Sequence, residues 1–261
     1  MATGLSIVAI MTEPQMPASA QQPPLEPVDE NWDRALAVVA HPDDLEYGTA
    51  GAVARWTDQG KQVVYCLVTS GEAGIDTMRP EEARVVRERE QRRAAALVGV
   101  DTVEFLGFPD GVLEYGVPLR RAITGAVRRY QPDVVITLNF HDTFGGEYLN
   151  QADHIAVGRA ALDAVRDAGN RWIFPEQIDE GLQPWGGVKV VLAGGSPDGK
   201  HGVDVSDTYE RGIASLRAHE AYLAALRPDQ DPTEMLEWFG RTAGARLGCA
   251  YGVAFELYRV G

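Results

Sequence analysis

Cysteine is scarce in this chain of 261 residues: Cys66 and Cys249 are the only two, far apart and each in an apolar context. A disulfide framework is therefore not expected, and the pair suits inert buried thiols in a reducing compartment, which predicts a cytoplasmic protein. Positive charge is short as well. Lys plus Arg number 24 against 38 for Asp plus Glu, a formal charge of -14. Such a surface repels polyanions, so neither nucleic acid nor an anionic membrane surface is an expected partner. No apolar run approaches the roughly 20 residues of a membrane span, so no integral membrane segment is expected. Leu5 to Met11 is apolar and Ala18-Ser19-Ala20 resembles a signal-peptidase site, but no Lys or Arg precedes that run and it is short, so a signal peptide is not predicted. Internal repeats are lacking.

What is present is globular: 45% hydrophobic and 8% aromatic residues. Residues 1–31 are rich in Pro, Gln and Ala without periodicity, which predicts a disordered or loosely attached tail. Residues 32–261 are predicted to form a single domain in which strand-like runs alternate with amphipathic helices, the signature of an α/β fold with a parallel sheet. Strands are expected at Arg34–Ala40, Lys61–Thr69, Thr102–Leu106, Asp133–Leu138, Val188–Ala193, Val203–Val205 and Ala250–Leu257. Helices are expected at Glu46–Gln59, Pro80–Val98, Val117–Tyr130, Ala152–Ala168, Asp207–Leu226 and Pro232–Leu247. The loop Ser70-Gly71-Glu72-Ala73-Gly74 matches neither a P-loop nor GxGxxG, and is read as facing a substrate. His201 is expected at the surface and His219 in packing.

Directly after the first apolar strand comes Ala40-His41-Pro42-Asp43-Asp44-Leu45-Glu46. Charges are costly to bury unless paired or bound to metal, so an imidazole and three carboxylates at a strand exit are a site hypothesis. Read alone, the cluster fits equally a solvated Asx turn in which Pro42 sets the bend. The Asp133–Leu138 strand ends in a polar loop, Asn139 to Glu147, followed by Asp153-His154 at a helix start. There Asp153 is a candidate N-cap, and the positive helix end keeps His154 neutral, as metal binding requires. If those two strands are neighbours, His41, Asp44 and His154 converge. Two imidazoles and one carboxylate leave a position open, the pattern of a catalytic zinc site. Asp43, free beside the metal, is the natural general base.

His41 to Glu46, the segment Arg87 to Glu90, the run Phe105-Leu106-Gly107-Phe108-Pro109-Asp110-Gly111 and Asp153-His154 together resemble the PIG-L/LmbE-like family of zinc-dependent N-deacetylases. The resemblance runs from about Arg34 to Arg159. It implies a Rossmann-like sandwich with a mostly parallel central sheet flanked by helices. The implied reaction is hydrolysis of the acetamide of an N-acetylated amino sugar, such as N-acetylglucosamine, or a conjugate of one, with release of acetate. By position, His41, Asp44 and His154 match the metal ligands, for zinc or another divalent ion. Asp43 matches the base, and Arg87 and Asp110 match sugar contacts. Where the family reads His-Pro-Asp-His, this chain has Gln151-Ala152-Asp153-His154. Gln151 donates a neutral hydrogen bond and cannot supply a proton. His141, in the same loop, is the first choice to replace that imidazole, ahead of Tyr148 and His219.

Other readings stay open at this point. One is a metal- or sugar-binding homologue with little turnover, prompted by Gln151. Another is a metal-dependent hydrolase of a different bond, disfavoured because no second carboxylate cluster and no basic patch accompany the motifs. The expected partner is a small N-acetylated sugar or glycoconjugate, and the sequence is compatible with a homo-oligomer.

Overall fold

Arg34 to Val39 reads Arg-Ala-Leu-Ala-Val-Val, and all but the first residue are buried. Ala35, Ala37 and Val39 join one hydrophobic cluster while Leu36 and Val38 join another, so the strand is covered on both faces. That is why its hydrophobic run is continuous rather than alternating. The computed structural model describes residues 22–226 and 231–261. Their strands are β1 (Glu26–Pro27), β2 (Arg34–Val39), β3 (Gln62–Leu67), β4 (Thr102–Phe105), β5 (Val134–Leu138), β6 (Val190–Gly194), β7 (His201–Asp204) and β8 (Gly252–Arg259). The helices are α1 (Ala50–Asp58), α2 (Pro80–Leu97), α3 (Val117–Tyr130), α4 (Ala152–Asp167), α5 (Pro175–Asp179), α6 (Tyr209–Arg217), α7 (Glu220–Leu226) and α8 (Thr233–Leu247).

The strands form one sheet of order β1-β7-β8-β6-β5-β2-β3-β4. Only the two pairings of β8 are antiparallel. The fold is α/β with a mostly parallel sheet flanked by helices, as expected. From β2 the chain runs outward through β3 to β4, then returns to place β5 on the other side of β2. The carboxyl ends of β2 and β5 therefore flank a topological switch point, where open α/β sheets bind ligands.

Three expectations need correction. The expected tail is partly seated. Leu25 and Val28 are buried, and the N–H groups of Glu26 and Val28 donate to Lys200 O and Gly202 O at 2.9 Å each, so β1 adds to the sheet edge. Two apolar anchors among extended-backbone prolines suffice to add an edge strand. Residues 1–21, including Leu5–Met11 and Ala18–Ala20, lie outside the described residues. The helix expected from Glu46 starts only at Ala50, because a turn occupies the segment before it. The helix expected over Asp207–Leu226 is two, α6 and α7. Between them His219 N–H bonds Leu216 O at 3.0 Å, and Ala221 N–H, in the first turn of α7, is taken by Glu90 Oε1 at 2.6 Å.

Glu30 fastens the N-terminal segment. Its carboxylate accepts from Arg55 Nε and Nη2 at 3.0 Å each, from Trp56 Nε1 at 2.7 Å and from Gln59 Nε2 at 3.1 Å. Burial pushes its carboxyl up, but these donors more than offset that and hold it below the usual carboxylate value. The stability it contributes is thus present above pH about 4.5 and lost as pH falls through the lower folded value. Glu30→Gln is expected to cost about 1–2 kcal/mol in urea unfolding at pH 7, with the gap to wild type closing as pH drops below about 4. A gap independent of pH would contradict the charged role.

Candidate metal centre

Beyond β2 the chain turns sharply. Asp44 Oδ2 accepts the N–H groups of Ala40 (3.0 Å) and His41 (2.9 Å), closing the turn on itself. Asp43 sits in the left-handed region with φ at 84°. Aspartate tolerates that region better than most residues, at a cost on the order of 1 kcal/mol. The result is that two adjacent carboxylates diverge. Asp44 Oδ1 lies 3.0 Å from His154 Nε2 and 3.7 Å from His41 Nδ1, whereas Asp43 Oδ2 lies 3.3 Å from Arg87 Nη2.

His154, in the first turn of α4, comes from the loop after β5. Its Nδ1 is 2.9 Å from Asn150 Oδ1, an oxygen that only accepts, so the ring proton belongs on Nδ1. Nε2 is then a bare lone pair, buried and without a hydrogen-bond partner, aimed at the Asp44 carboxylate. Two lone pairs 3.0 Å apart repel unless a cation lies between them. His41 repeats the arrangement. Its Nε2 is 3.0 Å from Asp110 Oδ1 and 3.2 Å from Asp153 Oδ2, which places its proton there and leaves Nδ1 toward Asp44.

Electrostatics agree. Burial pushes the Asp44 carboxyl up, but His154 and His41 more than offset it and hold the group far below the usual range. Burial lowers the His41 imidazolium, yet Asp44, Asp110 and Asp153 raise it well above its ordinary value. The pocket demands positive charge, either as protons on the rings or as an ion between them. The ligand atoms of His41, Asp44 and His154 lie within 4.8 Å of one another, and this set of two nitrogens and one oxygen fits a divalent cation with a position left open. His41, Asp110 and Asp153 also cluster that closely. However, Asp153 already accepts Gly111 N–H (2.8 Å) and Leu113 N–H (3.0 Å), and Asp110 accepts Ala73 N–H (2.8 Å). Those carboxylates orient His41 from behind.

On the opposite side, Arg87 is 1% exposed, donates to Pro42 O and lies 3.6 Å over the Tyr222 ring. Its guanidinium packs so tightly under the Ser70–Gly74 loop that a Cβ at Gly74 would come within 2.6 Å of it. Burial, the largest cause, pushes the Asp43 carboxyl up to about 6, against the pull of Arg87. Arg87 and Glu90, three residues apart on α2, do not form the solvated pair that their opposite charges and spacing would suggest. Both are buried, because this face of α2 packs against α6 and α7.

A cleft of about 160 Å³ is lined by His41, Asp43, Asp44, Arg87, Asp110, Gln151 and His154 together. His141 is not among its lining residues. Its Nε2 engages Glu256 Oε2 of β8 at 2.7 Å and its ring stacks on Phe140, so it is directed away as a replacement for the family's imidazole. Tyr148 and His219 do not line the cleft either; His219 is fully buried, 3.7 Å from Glu46 Oε2. Asp153 is not the N-cap, a position held by Gln151, but the buried carboxylate behind His41. Its place beside His154 was the available signal. Asn150, which orients His154, and Gln91, whose Oε1 accepts Asp43 N–H, gave none.

A mostly parallel sheet with such a cluster at its switch point defines an α/β protein with a candidate metal-binding pocket at its strand exits. Residues 36–165 match the family described as PIG-L: GlcNAc-PI de-N-acetylase. The diacetylchitobiose deacetylase of Thermococcus kodakarensis is 28% identical over 217 residues, 82% of this chain and 78% of that protein. A probable N-acetyl-alpha-D-glucosaminyl L-malate deacetylase 2 of Bacillus anthracis is 32% identical over 143 residues, 52% of this chain and 61% of its own. The solved N,N'-diacetylchitobiose deacetylase of Pyrococcus horikoshii superposes with a TM-score of 0.80 at 24% identity, covering 88% of this chain and 85% of that one. The chain belongs to the PIG-L family and is an amide-cleaving hydrolase of the deacetylase type.

If Asp153 orients His41 as described, Asp153→Ala lowers affinity for zinc about 10–100-fold in competition with a chromogenic chelator. Unchanged affinity would remove it from the centre.

Proposed function

We propose that this protein is a metal-dependent N-deacetylase that hydrolyses the acetamide of an N-acetylated amino sugar or its conjugate, with His41, Asp44 and His154 holding zinc or another divalent ion. The observation that carries this reading is the bare, buried Nε2 of His154 facing the Asp44 carboxylate while Asp43, one residue away, turns from that cluster to Arg87. When bound, such an ion supplies Lewis-acid polarisation and lowers the pKa of water at the site.

The remaining roles belong to the chain. Asp43 takes a proton from water as its oxygen attacks the acetamide carbon, and the Arg87 guanidinium at 3.3 Å steadies that carboxylate. Gln151, on the cleft wall, donates a hydrogen bond to the developing oxyanion. As the C–N bond breaks, Asp43 returns the proton to the amine nitrogen, leaving acetate and a free amine. One carboxylate thus serves in both directions, in keeping with a cleft whose lining imidazoles are His41 and His154, the candidate metal ligands. Asp110, on the cleft wall, is the proposed contact for a ring hydroxyl of the amino sugar, whereas Arg87, buried and engaged by Pro42 O and Asp43, acts through Asp43 rather than on the sugar as the family resemblance implied. A neighbouring cavity of about 280 Å³ shares Asp44 and Tyr47 with the cleft and gives room for the group to which the sugar is joined.

Two variants test this on a panel of N-acetylated amino sugars read by acetate release. His41→Ala is expected to lose both stoichiometric metal and acetate release. Asp43→Asn is expected to keep the metal while kcat falls about 100–10,000-fold. Full activity in metal-free protein, or in Asp43→Asn, would sink the proposal.

A further inference from the structure

The left-handed turn at Asp43 is held by a side chain from another element. Gln91 of α2 is 1% exposed, and its Oε1 accepts the backbone N–H of Asp43 at 2.9 Å. Because a backbone N–H only donates, this contact fixes which end of the amide is oxygen, and Nε2 is left to donate to Glu46 Oε1 at 2.9 Å. Glu46 is itself 2% exposed, with Ser215 Oγ 3.4 Å from the same oxygen and His219 Nε2 3.7 Å from the other. One neutral amide therefore clasps both ends of the segment 43–46. Arg87 lies four residues before Gln91 on the same face of α2, so a single helix face grips Asp43 twice, by its carboxylate and by its backbone.

We infer that Gln91 is a positioning residue for the reaction: it holds the Asp43 backbone left-handed, so that the base points away from Asp44 and into the cleft. This rests on the deacetylase reading for its kinetic consequence but not for its structural one. Without the acceptor, the Asp43 N–H loses its partner and the turn relaxes toward commoner backbone conformations, carrying the carboxylate with it. Misplacement of a catalytic group by about 1 Å costs on the order of 100-fold in rate. The ligand atoms of His41, Asp44 and His154 are held by other contacts, so metal binding does not depend on Gln91.

The test uses the full, metal-loaded chain and three measurements: kcat and KM for acetate release, bound metal, and hydrogen exchange of the Asp43 amide by NMR. Gln91→Met keeps the volume and removes both hydrogen bonds. It is expected to lower kcat about 10–100-fold with KM within twofold and one metal per chain retained. Asp43 amide exchange is expected to speed up at least about tenfold once its acceptor is gone. The double variant Q91E/E46Q exchanges amide and carboxylate, so that the carboxylate now at position 91 accepts from both the Asp43 N–H and the side-chain amide now at position 46. It is expected to restore kcat to within about fivefold of wild type, and exchange protection with it. Gln91→Met with normal kcat, a parallel fall of metal content and kcat, or a double variant no better than Gln91→Met overturns the inference. Should wild type release no acetate from any sugar, the deacetylase reading fails, while amide exchange still decides whether Gln91 holds Asp43; unchanged exchange overturns that hold.

Discussion

Two neighbouring carboxylates must point in opposite directions for this site to exist, and the left-handed backbone of Asp43 is what separates them. With an ordinary extended or helical conformation there, the Asp43 carboxylate would swing out of the cleft, while Asp44 stays tied to its own turn. Asp44 turns inward to the two imidazoles and ties off its own turn through Ala40 and His41 N–H. Asp43 turns to Arg87, in a buried setting that pushes its carboxyl up to about 6. One residue becomes suited to bind a cation and the next to exchange a proton.

The turn is held because the loops around it are laced together. Asp153, from the start of α4, reaches back to His41 and also fixes Gly111 and Leu113 beyond β4. Asp110 joins His41 to Ala73, and Glu72 accepts N–H groups of both Ser70 and Asp110. The exits of β2, β3, β4 and β5 thus form one network at the carboxyl edge of the sheet. Its members are acidic and mostly buried, which concentrates negative charge where a cation is wanted and restrains the imidazoles that would hold it.

Much of the sheet was legible in the sequence because buried parallel strands announce themselves as apolar runs, as at Val134–Leu138 and Val190–Gly194. The pairing of β2 with β5 could be stated from the sequence only as a condition; the sheet meets it, and with it comes the approach of His154 to His41. Edge features were not legible. β1 is two residues long, and its seat depends on Leu25 and Val28 meeting a surface built from the far end of the chain. The α6–α7 break depends on Glu90, from a distant helix, offering a carboxylate to Ala221 N–H. At the site, residue types with a chemical signature were readable, whereas Asn150 and Gln91 act through hydrogen bonds whose partners only the fold supplies. His141 misled for the complementary reason: loop proximity in sequence did not reveal that Glu256 of β8 would claim its ring.

The roles of these groups depend on where a metal ion would sit among them. Anomalous diffraction at the zinc absorption edge, from crystals of the metal-loaded protein, reads that position directly. A single peak is expected within ligand distance of His41 Nδ1, Asp44 Oδ1 and His154 Nε2, with Asp43 outside the coordination sphere. A peak on the other side of the imidazole, between His41 Nε2, Asp110 and Asp153, or one ligated by Asp43, would contradict these roles.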